Sequence, residues 1–554
     1  MPHREQSTLS RRRLLQLAGA TTLGALAGCS GPLPGTADGG GREVTPRSTV
    51  TSDPDTAVSL TAASGTVRPA PDTSTTNWMY EGQFPGPELR VQEGDVLSVE
   101  LANDLREETT IHWHGVPVPN PVDGVPNVTQ EPIASGDTFT YTFRAEPAGT
   151  YFYHSHVGLQ LDRGLLGPLI VEERDPHVEY DREYVVVVDD YLPRAPRLPS
   201  NSGRGDGGGM GGGGMSGNGD MMGDVRPPYE GLLINGRLPE NPQTFDVTEG
   251  ERIRFRFVNA ASATVFGVRI AGHEMTVTHA DGRPVEPVAV DSFTFGAGER
   301  YDVVVEATNP GTWAVQADAL DGNEPPARAV LEYESAGGGS PQRPSSASNQ
   351  LQYGDLRAIT SLDGVSGDPD RTFDLTLSRG RGQSYTWTID GQAYPDADPL
   401  QIRPGEHVRI RMTNQSPVVH PMHLHGHFFQ VGNAVKDTVM VPGHRGAGDD
   451  RLPRGQSRPM AVPLPQSVPS RRGDGACREI RRVTPLKAPF RIVHSAVRMV
   501  VVLSREKGSV SSQRIRDGGT FLVLKDGYID LYTFSNVLLR GFTPIVITPE
   551  RSYE

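Results

Sequence analysis

The sequence has little cysteine, little lysine and, beyond its first 30 residues, no long apolar run. Two cysteines in 554 residues cannot form a disulfide framework. Without an apolar stretch of membrane-spanning length, the body of the protein is expected to be water-soluble. Hydrophobic residues make up only 36% of the chain, and a formal net charge of -14 disfavours nucleic acid as the main partner.

Glycine and proline are abundant instead, with 64 and 47 residues respectively. This composition favours many short strands joined by turns over long helices. At 554 residues, the chain also has room for three or four domains with cores of their own. We therefore expect an all-β protein of several domains.

One unit recurs three times along the chain. In each copy a glycine stands nine residues before an asparagine, and successive glycines are 156 and 155 residues apart. The three pairs are Gly94 and Asn103, Gly250 and Asn259, and Gly405 and Asn414. Apolar and polar residues alternate within each pair, which is the period of a half-buried strand. The chain is therefore predicted to hold three β-domains in tandem.

A second strand repeats in the first two units only. Ala-Gly-Thr-Tyr at residues 148–151 corresponds to Pro-Gly-Thr-Trp at residues 310–313. The same spacing predicts a Pro-Gly-x-aromatic strand near residue 460 of the third unit. The sequence has no such strand there.

The first 55 residues resemble an export signal followed by a tether. Three arginines at residues 11–13 precede a short apolar stretch that ends in Leu-Ala-Gly before Cys29. This layout is similar to a twin-arginine (Tat) signal closed by a lipobox, in which Cys29 carries a lipid anchor. Residues 30–55 are then a flexible tether. The alternative is a chance basic start before a disordered segment.

Histidine is concentrated in three short groups. Seven of the 15 histidines fall in them, namely His112 and His114, His154 and His156, and His420, His423 and His425. In a strand, residues i and i+2 point to the same face, so each His-x-His pair presents two imidazoles side by side. Neutral imidazole is a good ligand for copper, zinc and iron. Pairs in the first and third units, with none in the second, indicate a metal centre.

These motifs resemble three of the four copper signatures of three-domain multicopper oxidases. They are His-Trp-His-Gly at 112–115, Tyr-His-Ser-His at 153–156 and His-Pro-Met-His-Leu-His-Gly-His at 420–427. The part of the chain that resembles the family spans about residues 60–445. In that family the domains are cupredoxin-like Greek-key sandwiches, with a trinuclear copper cluster between the first and third. The resemblance implies that His112 and His423 bind the type 2 copper. It assigns His114, His154, His156 and His425 to the type 3 pair, and His420 to the type 1 copper.

Domain boundaries follow from the repeats. We expect a signal at 1–29, a tether at 30–55 and cupredoxin-like domains at 56–180, 181–335 and 361–446, with a linker at 336–360. The second domain contains a Gly/Met-rich loop at 203–223, and the third is truncated by an unassigned tail at 447–554. No ligand role is expected for His273, His279 or His427.

The fourth signature of the family, His-Cys-His-x-x-x-His followed by Gly-Met, is absent. It would supply two type 3 imidazoles and the thiolate, imidazole and thioether of the type 1 copper. Cys477 cannot stand in, because alanine and arginine flank it. Without a thiolate there is no blue-copper site of the His₂Cys kind.

The composition of the tail differs from that of the rest of the chain, as is expected of a shifted reading frame. The net charge is -24 over residues 1–450 and +10 over 451–554, and three of the four lysines fall in the tail. Read one base later, the codons from Asp449 to Gly475 can encode T-I-D-F-R-A-D-N-P-G-R-W-L-F-H-C-H-N-L-Y-H-L-D-A-G-M-A. The tryptophan is forced, because Met460 before Ala461 permits only TGG. This string contains the missing strand and the missing signature, which indicates a frameshift rather than a genuinely divergent C-terminus.

The resemblance also implies the reaction. A substrate gives up electrons one at a time at the type 1 copper, and the cluster reduces O₂ to water. The substrate is expected to be a phenol or Cu(I). The four methionines of the Gly/Met-rich loop suit Cu(I), although a plain linker is the alternative.

Two other classes of protein share some of these features. A two-domain copper nitrite reductase is disfavoured by the third repeat and by His-x-His pairs at both ends of the chain. A non-catalytic cupredoxin-like binding or structural protein that has lost its coppers would explain the missing signature. It would not explain the seven matching histidines.

Overall fold

The computed structural model describes seven stretches of the chain and the backbone of four short strands beyond them. The stretches are residues 53–196, 227–362, 364–365, 367–380, 387–393, 398–403 and 405–443. The export signal at 1–29, most of the tether, the Gly/Met-rich loop at 203–223 and nearly all of the tail lie outside the described residues. So do both cysteines, Cys29 and Cys477.

Within these residues the protein is built almost wholly of strands, which confirms the predicted all-β class. The described part of the chain contains two helices, the single 3₁₀ turns Asn120–Val122 and Glu334–Ala336. No described helix has the length and apolar character needed to cross a membrane.

The first domain is a sandwich of two four-stranded sheets. Its strands are β1 (Thr56–Ala70), β2 (Thr73–Tyr80), β3 (Leu89–Gln92), β4 (Val96–Asn103), β5 (His112–His114), β6 (Thr138–Arg144), β7 (Gly149–His154) and β8 (Leu166–Glu172). One sheet has the order β2-β1-β4-β6 and the other β3-β8-β7-β5. Alternation along β6 turns Phe139, Tyr141 and Phe143 inwards, into the core that contains Trp113.

The second domain packs a six-stranded sheet on a five-stranded one. Its strands are β9 (Arg182–Tyr191), β10 (Gly231–Ile234), β11 (Thr244–Val247), β12 (Arg252–Asn259), β13 (Phe266–Ile270), β14 (Met275–Ala280), β15 (Arg283–Val290), β16 (Phe293–Phe295), β17 (Arg300–Glu306), β18 (Thr312–Ala319) and β19 (Ala327–Tyr333). The sheet orders are β10-β9-β12-β17-β14-β15 and β11-β19-β18-β13-β16. Phe257 and Phe293, one from each sheet, pack edge to face in the shared core.

The third domain begins as the other two do. Its strands are β20 (Arg371–Arg379), β21 (Trp387–Ile389), β22 (Val408–Asn414), β23 (His420–His423), β24 (Phe429–Val431), β25 (Ala434–Lys436) and β26 (Thr438–Val441). Strand β20 runs parallel to β22, as β1 does to β4 and β9 to β12. The tail adds β27 (Met460–Ala461), β28 (Ala496–Met499), β29 (Val523–Lys525) and β30 (Tyr528–Asp530). Strands β27 and β28 pair with β22, and β29 pairs with β30.

The three repeated asparagines have the same structural task. Each ends a central strand and is buried, and its side-chain oxygen accepts a hydrogen bond from the backbone N–H two residues later. Each Nδ2 also donates to a carbonyl about thirty residues on; the acceptors of Asn103, Asn259 and Asn414 are Ile133, Phe295 and Val441, at 2.8, 3.1 and 3.1 Å. A buried amide needs hydrogen-bond partners, so the repeated asparagine connects the end of a central strand to a later segment of the same domain.

The second sheet of the third domain is short. Its described strands are β23 and β26. In the second domain β13 lies between β16 and β18, and in the first domain β5 pairs with β7. In the part of the chain that the structure describes, no strand pairs with the other edge of β23. This is the position that the expected Pro-Gly-x-aromatic strand would take.

Candidate metal centre

Six histidines meet in one buried cluster between the first and third domains. They are His112, His114, His154, His156, His423 and His425, and none is more than 5% exposed. The ring centroids of His114 and His423 are 3.8 Å apart, and those of His112 and His425 are 3.9 Å apart. The ligand atoms of five of them form two overlapping triads, each within 4.8 Å: His112, His114 and His423, and His112, His156 and His425. His154 is in neither triad, but its ring centroid lies 5.3 Å from those of His112 and His156. The sequence therefore brings its predicted cluster ligands together.

Strand geometry places His112, His114 and His154, and His156 follows two residues after the end of β7. Strands β5 and β7 are antiparallel neighbours, with His112 opposite His154. Between the two histidines of β5, Trp113 points the other way and is fully buried against Phe143 in the core. The alternation that the sequence predicted thus directs both imidazoles of the pair towards the cluster.

Hydrogen bonds orient the rings through one nitrogen each. The Nδ1 atoms of His112, His154 and His423 lie 2.9 Å from the backbone carbonyls of Asp123, Ser155 and Asp437 respectively. The Nδ1 atom of His425 lies 2.9 Å from Asp123 Oδ2, whereas His114 uses Nε2, 3.1 Å from Thr438 Oγ1. Such acceptors fix the tautomer of a ligand, so His114 is set to offer Nδ1 and the other four to offer Nε2.

Burial keeps five of the six imidazoles neutral. It lowers the pKa values of His114, His154, His156, His423 and His425 below the ordinary value for histidine. For His114, His154, His156 and His425, the charge of a neighbouring imidazole is the second-largest cause, and it lowers the pKa further. Neutral imidazole is the form that binds a metal, so the site needs no deprotonation before loading.

The seventh predicted ligand, His420, like His154, belongs to neither triad, but its ring packs against Trp387. It lies at the start of β23, is 2% exposed, and its Nε2 is 2.8 Å from Ser416 Oγ. Trp387 packs edge-on against its ring, with centroids 4.7 Å apart. Burial lowers the pKa of His420 to about 3. Its separation from the triads agrees with a site of its own, for which the described residues provide no thiolate.

The sequence matches three family models, each described as multicopper oxidase. They cover residues 61–176, 183–336 and 367–447, which together are more than half of the chain. The chain belongs to the multicopper oxidase family. It is accordingly a copper-dependent oxidoreductase, and the copper implied by its histidine motifs is confirmed as the metal of its family.

Relatives of this multicopper oxidase come from bacteria and fungi. Multicopper oxidase MmcO of Mycobacterium tuberculosis is 36% identical over 388 residues, covering 65% of this chain and 75% of the relative. Copper resistance protein A of Escherichia coli is 28% identical, over 65% of this chain and 82% of its own. Laccase-4 of Thanatephorus cucumeris is 30% identical, over 64% of this chain and 75% of its own.

Solved structures agree on the fold of the oxidase. Fet3p, a multicopper oxidase that functions in iron import, has a TM-score of 0.62 at 21% identity and covers 74% of this chain and 85% of its own. The multicopper oxidase from Pseudomonas thermotolerans has a TM-score of 0.54 at 24% identity, over 74% of this chain and 93% of its own. These likenesses confirm the cupredoxin-like architecture.

The second domain of the oxidase supports the centre without supplying any of the six histidines. Arg300, fully buried, donates from Nη1 and Nη2 to the two carboxylate oxygens of Asp437, at 2.7 and 2.6 Å. Asp437 Oδ1 lies 3.6 Å from His114 Nε2 and 3.4 Å from His423 Nδ1. Burial alone would raise the pKa of Asp437, but the Arg300 guanidinium holds it well below its ordinary value. The carboxylate therefore stays charged behind two of the ligands.

A second buried ion pair fixes the neighbouring residue. Lys436 Nζ lies 3.0 Å from Asp281 Oδ2 and 3.1 Å from Glu299 Oε1, both in the second domain. Asp281 Oδ2 also accepts hydrogen bonds from the backbone N–H groups of Asp437 and Thr438. The sequence analysis missed this network, although Lys436 is the one lysine in residues 1–450 and was a signal for it.

The histidines that were given no ligand role lie outside the two triads. His273 Nε2 is 2.7 Å from the Tyr333 hydroxyl, and His427 Nδ1 is 3.1 Å from the His425 carbonyl. Among the described residues, neither belongs to a group that could hold a metal. His279 does belong to such a group, with Glu173 and His177, at the junction of the first and second domains.

Replacing Asp123 with alanine should weaken copper binding at the cluster. The Asp123→Ala change removes the acceptor of His425 Nδ1 and a carboxylate oxygen 3.2 Å from His112 Nδ1. Losing such a partner typically costs about 10–100-fold in metal affinity. Competition with a copper chelator measures the change. Asp104→Ala, at an exposed site of the same domain, is the control; equal affinities for the two variants would contradict this role.

Proposed function

We propose that the six clustered histidines hold a trinuclear copper centre. His112 and His423 bind the type 2 copper, and His114, His154, His156 and His425 bind the type 3 pair. The observation that carries the proposal is the convergence of six imidazoles from two domains in one buried place. Copper fits this donor set, because imidazole is among its preferred ligands. Nε2 of His112 is buried without a hydrogen-bond partner in the protein, as a ligand atom would be.

The residues around the centre prepare it for its chemistry. When bound, copper at such a centre supplies one-electron redox chemistry and the reduction of O₂ to water. Burial keeps five of the imidazoles neutral, and hydrogen bonds to Asp123, Ser155, Asp437 and Thr438 fix the tautomers of the rings that they contact. Two of these contacts cross between domains, because Asp123 of the first domain holds His425 of the third, and Thr438 of the third holds His114 of the first.

We also propose that the missing copper signature was displaced by a reading-frame slip near Asp449. The family match ends at residue 447, close to that position. In the shifted frame, the segment W-L-F-H-C-H comes just after a Pro-Gly pair, as the histidine-bearing strand β7 begins at the Ala-Gly pair of the first domain. A strand with that sequence, on the edge of β23 that no described strand pairs with, would bring a thiolate and two imidazoles beside His420 and His423. His420 would then be one ligand of a type 1 copper.

The reducing substrate is proposed to be a small phenol or Cu(I). The relatives include both laccases and copper resistance proteins, which supports either choice. The Gly/Met-rich loop at 203–223 favours Cu(I), since it contains Met210, Met215, Met221 and Met222 and thioethers are soft ligands. O₂ is the proposed oxidant in both cases.

Export by the Tat route and a lipid anchor on Cys29 are proposed for the N-terminal segment. The order of basic residues, apolar stretch and Leu-Ala-Gly-Cys supports this. The protein would then act outside the cytoplasm, attached to the membrane through lipid.

The domain boundaries 56–180, 181–335 and 361–446 remain proposals that the three family matches support. A non-catalytic cupredoxin-like protein is not favoured, because such a protein has no need for six converging imidazoles. A two-domain nitrite reductase is not favoured either, because the family matches fall in three successive segments.

Restoring the reading frame should create a blue oxidase. We expect resequencing of the codons for Val439 to Glu479 to reveal a single-base insertion or deletion. The corrected protein should then show the strong visible absorption of a blue-copper site and oxidise phenols or Cu(I), and the chain as written should be colourless and inactive. The proposal would be refuted if resequencing confirmed the present frame, or if the protein with the present sequence were blue and active.

Removing the thioethers of the loop should separate the two substrates. In the corrected protein, replacing Met210, Met215, Met221 and Met222 with leucine should lower Cu(I) oxidation several-fold and leave phenol oxidation unchanged. Leucine preserves the length and apolar character of the loop, so only the sulfur ligands are lost. Steady-state rates on both substrates provide the comparison. Equal effects on Cu(I) oxidation and phenol oxidation would show that the loop is only a linker.

Changing Cys29 to serine should release the protein from the membrane. The Cys29→Ser variant loses the thiol that accepts the lipid, while the twin-arginine region is kept. Fractionation of cells should then find it in the soluble extracytoplasmic fraction. Cys477→Ser serves as the control and should stay with the membrane; membrane attachment of both variants would argue against a lipid anchor on Cys29.

A further inference from the structure

A second group of metal-binding side chains lies where the first domain leads into the second. Glu173 follows β8, His177 lies in the segment before β9, and His279 lies on β14. Their ligand atoms are all within 4.8 Å of one another. Glu173 Oε1 is 2.9 Å from His279 Nε2 and 3.6 Å from His177 Nδ1. The two imidazole rings meet nearly edge to face, with centroids 4.6 Å apart.

The donor set is that of a three-ligand transition-metal site. Two imidazoles and one carboxylate, with a further position left for water, are typical of zinc and are also used by iron and copper. The side chain of His279 is 2% exposed, that of Glu173 13% and that of His177 22%. A cation could therefore reach the group past His177 and would be held against buried partners.

Neighbouring side chains support His279 and Glu173 as ligands. Thr278 Oγ1 lies 3.0 Å from His279 Nδ1, and Asp302 Oδ2 lies 3.6 Å from it. Binding at Nε2 would move the imidazole proton to Nδ1, where these oxygens can accept it. Arg254 Nη1 donates to Glu173 Oε2 at 2.6 Å, which leaves Oε1 facing the two imidazoles. Arg254 Nη2 lies 3.2 Å from His279 Nε2, so the guanidinium has to move away from that nitrogen when a cation binds there.

Charged side chains surround the site. Three carboxylates, of Glu173, Glu183 and Asp302, face the guanidiniums of Arg254 and Arg256, and Glu183 also pairs with Arg90. Asp302 is 1% exposed, and its Oδ1 is buried without a hydrogen-bond partner in the protein. The carboxylates and guanidiniums of this cluster are equal in number, so the geometry of the three ligand side chains, rather than an excess of negative charge, supports a bound cation.

We propose that Glu173, His177 and His279 bind a divalent transition-metal ion of the Zn²⁺ class. The ion ties the segment that connects the first two domains to β14, independently of the copper centre and of the oxidase proposal. None of the copper signatures includes these three residues. The site gives His279 a ligand role, which was not expected from the sequence.

Zinc binding to metal-free protein tests the proposal. Equilibrium dialysis should find one Zn²⁺ fewer in His177→Ala than in the unaltered protein, with affinity at the site lowered at least about tenfold. Glu173→Gln, which keeps the shape of the side chain, should lose the same ion. His177 is partly exposed, so its replacement should leave the fold intact. His273→Ala, in the second domain but outside the cluster, should retain the full complement.

A variant of the copper centre separates this site from the other. His112→Ala should still show the rise in unfolding temperature that Zn²⁺ gives through the Glu173 site, and His177→Ala should lose that rise while keeping its affinity for copper. Equal zinc stoichiometry and affinity in His177→Ala and the unaltered protein would overturn the proposal. A zinc-dependent rise that disappears in His112→Ala would overturn it as well.

Discussion

The buried ion pair between Arg300 and Asp437 is the contact on which the centre most depends. It joins the second domain to the segment of the third that lies behind His114 and His423. Removing one partner of such a pair leaves an uncompensated buried charge, which is strongly destabilising. Here that charge would also lie within 4 Å of two proposed ligands. A domain that supplies none of the six clustered histidines thus controls the geometry of the cluster.

Much of the centre could be predicted from the sequence because its determinants are local. A His-x-His pair in a strand places two imidazoles on one face, and the repeat of Gly and Asn shows how many domains there are. Asp123, Asp437 and Arg300 could not be found in this way. They reach the histidines across strands or domains, at separations such as 302 residues for Asp123 and His425, and no periodicity records such contacts.

The third domain is where sequence and structure reveal the same gap. The internal repeat calls for a Pro-Gly-x-aromatic strand, and β23 has an edge that no described strand pairs with. In the first domain the strand at that position carries His154 beside His112. The cluster as described therefore has four proposed ligands on or just after two strands of the first domain, and two on or just after one strand of the third. This asymmetry is what a lost fourth signature would produce.

The most direct test of the central claim is anomalous diffraction at the copper edge from crystals of the copper-loaded protein. The account predicts copper peaks inside the cage formed by His112, His114, His154, His156, His423 and His425. It predicts no copper peak beside His420 in the chain as written, because the thiolate is missing. Absence of copper from the cage, or copper bound only at other sites, would contradict the account.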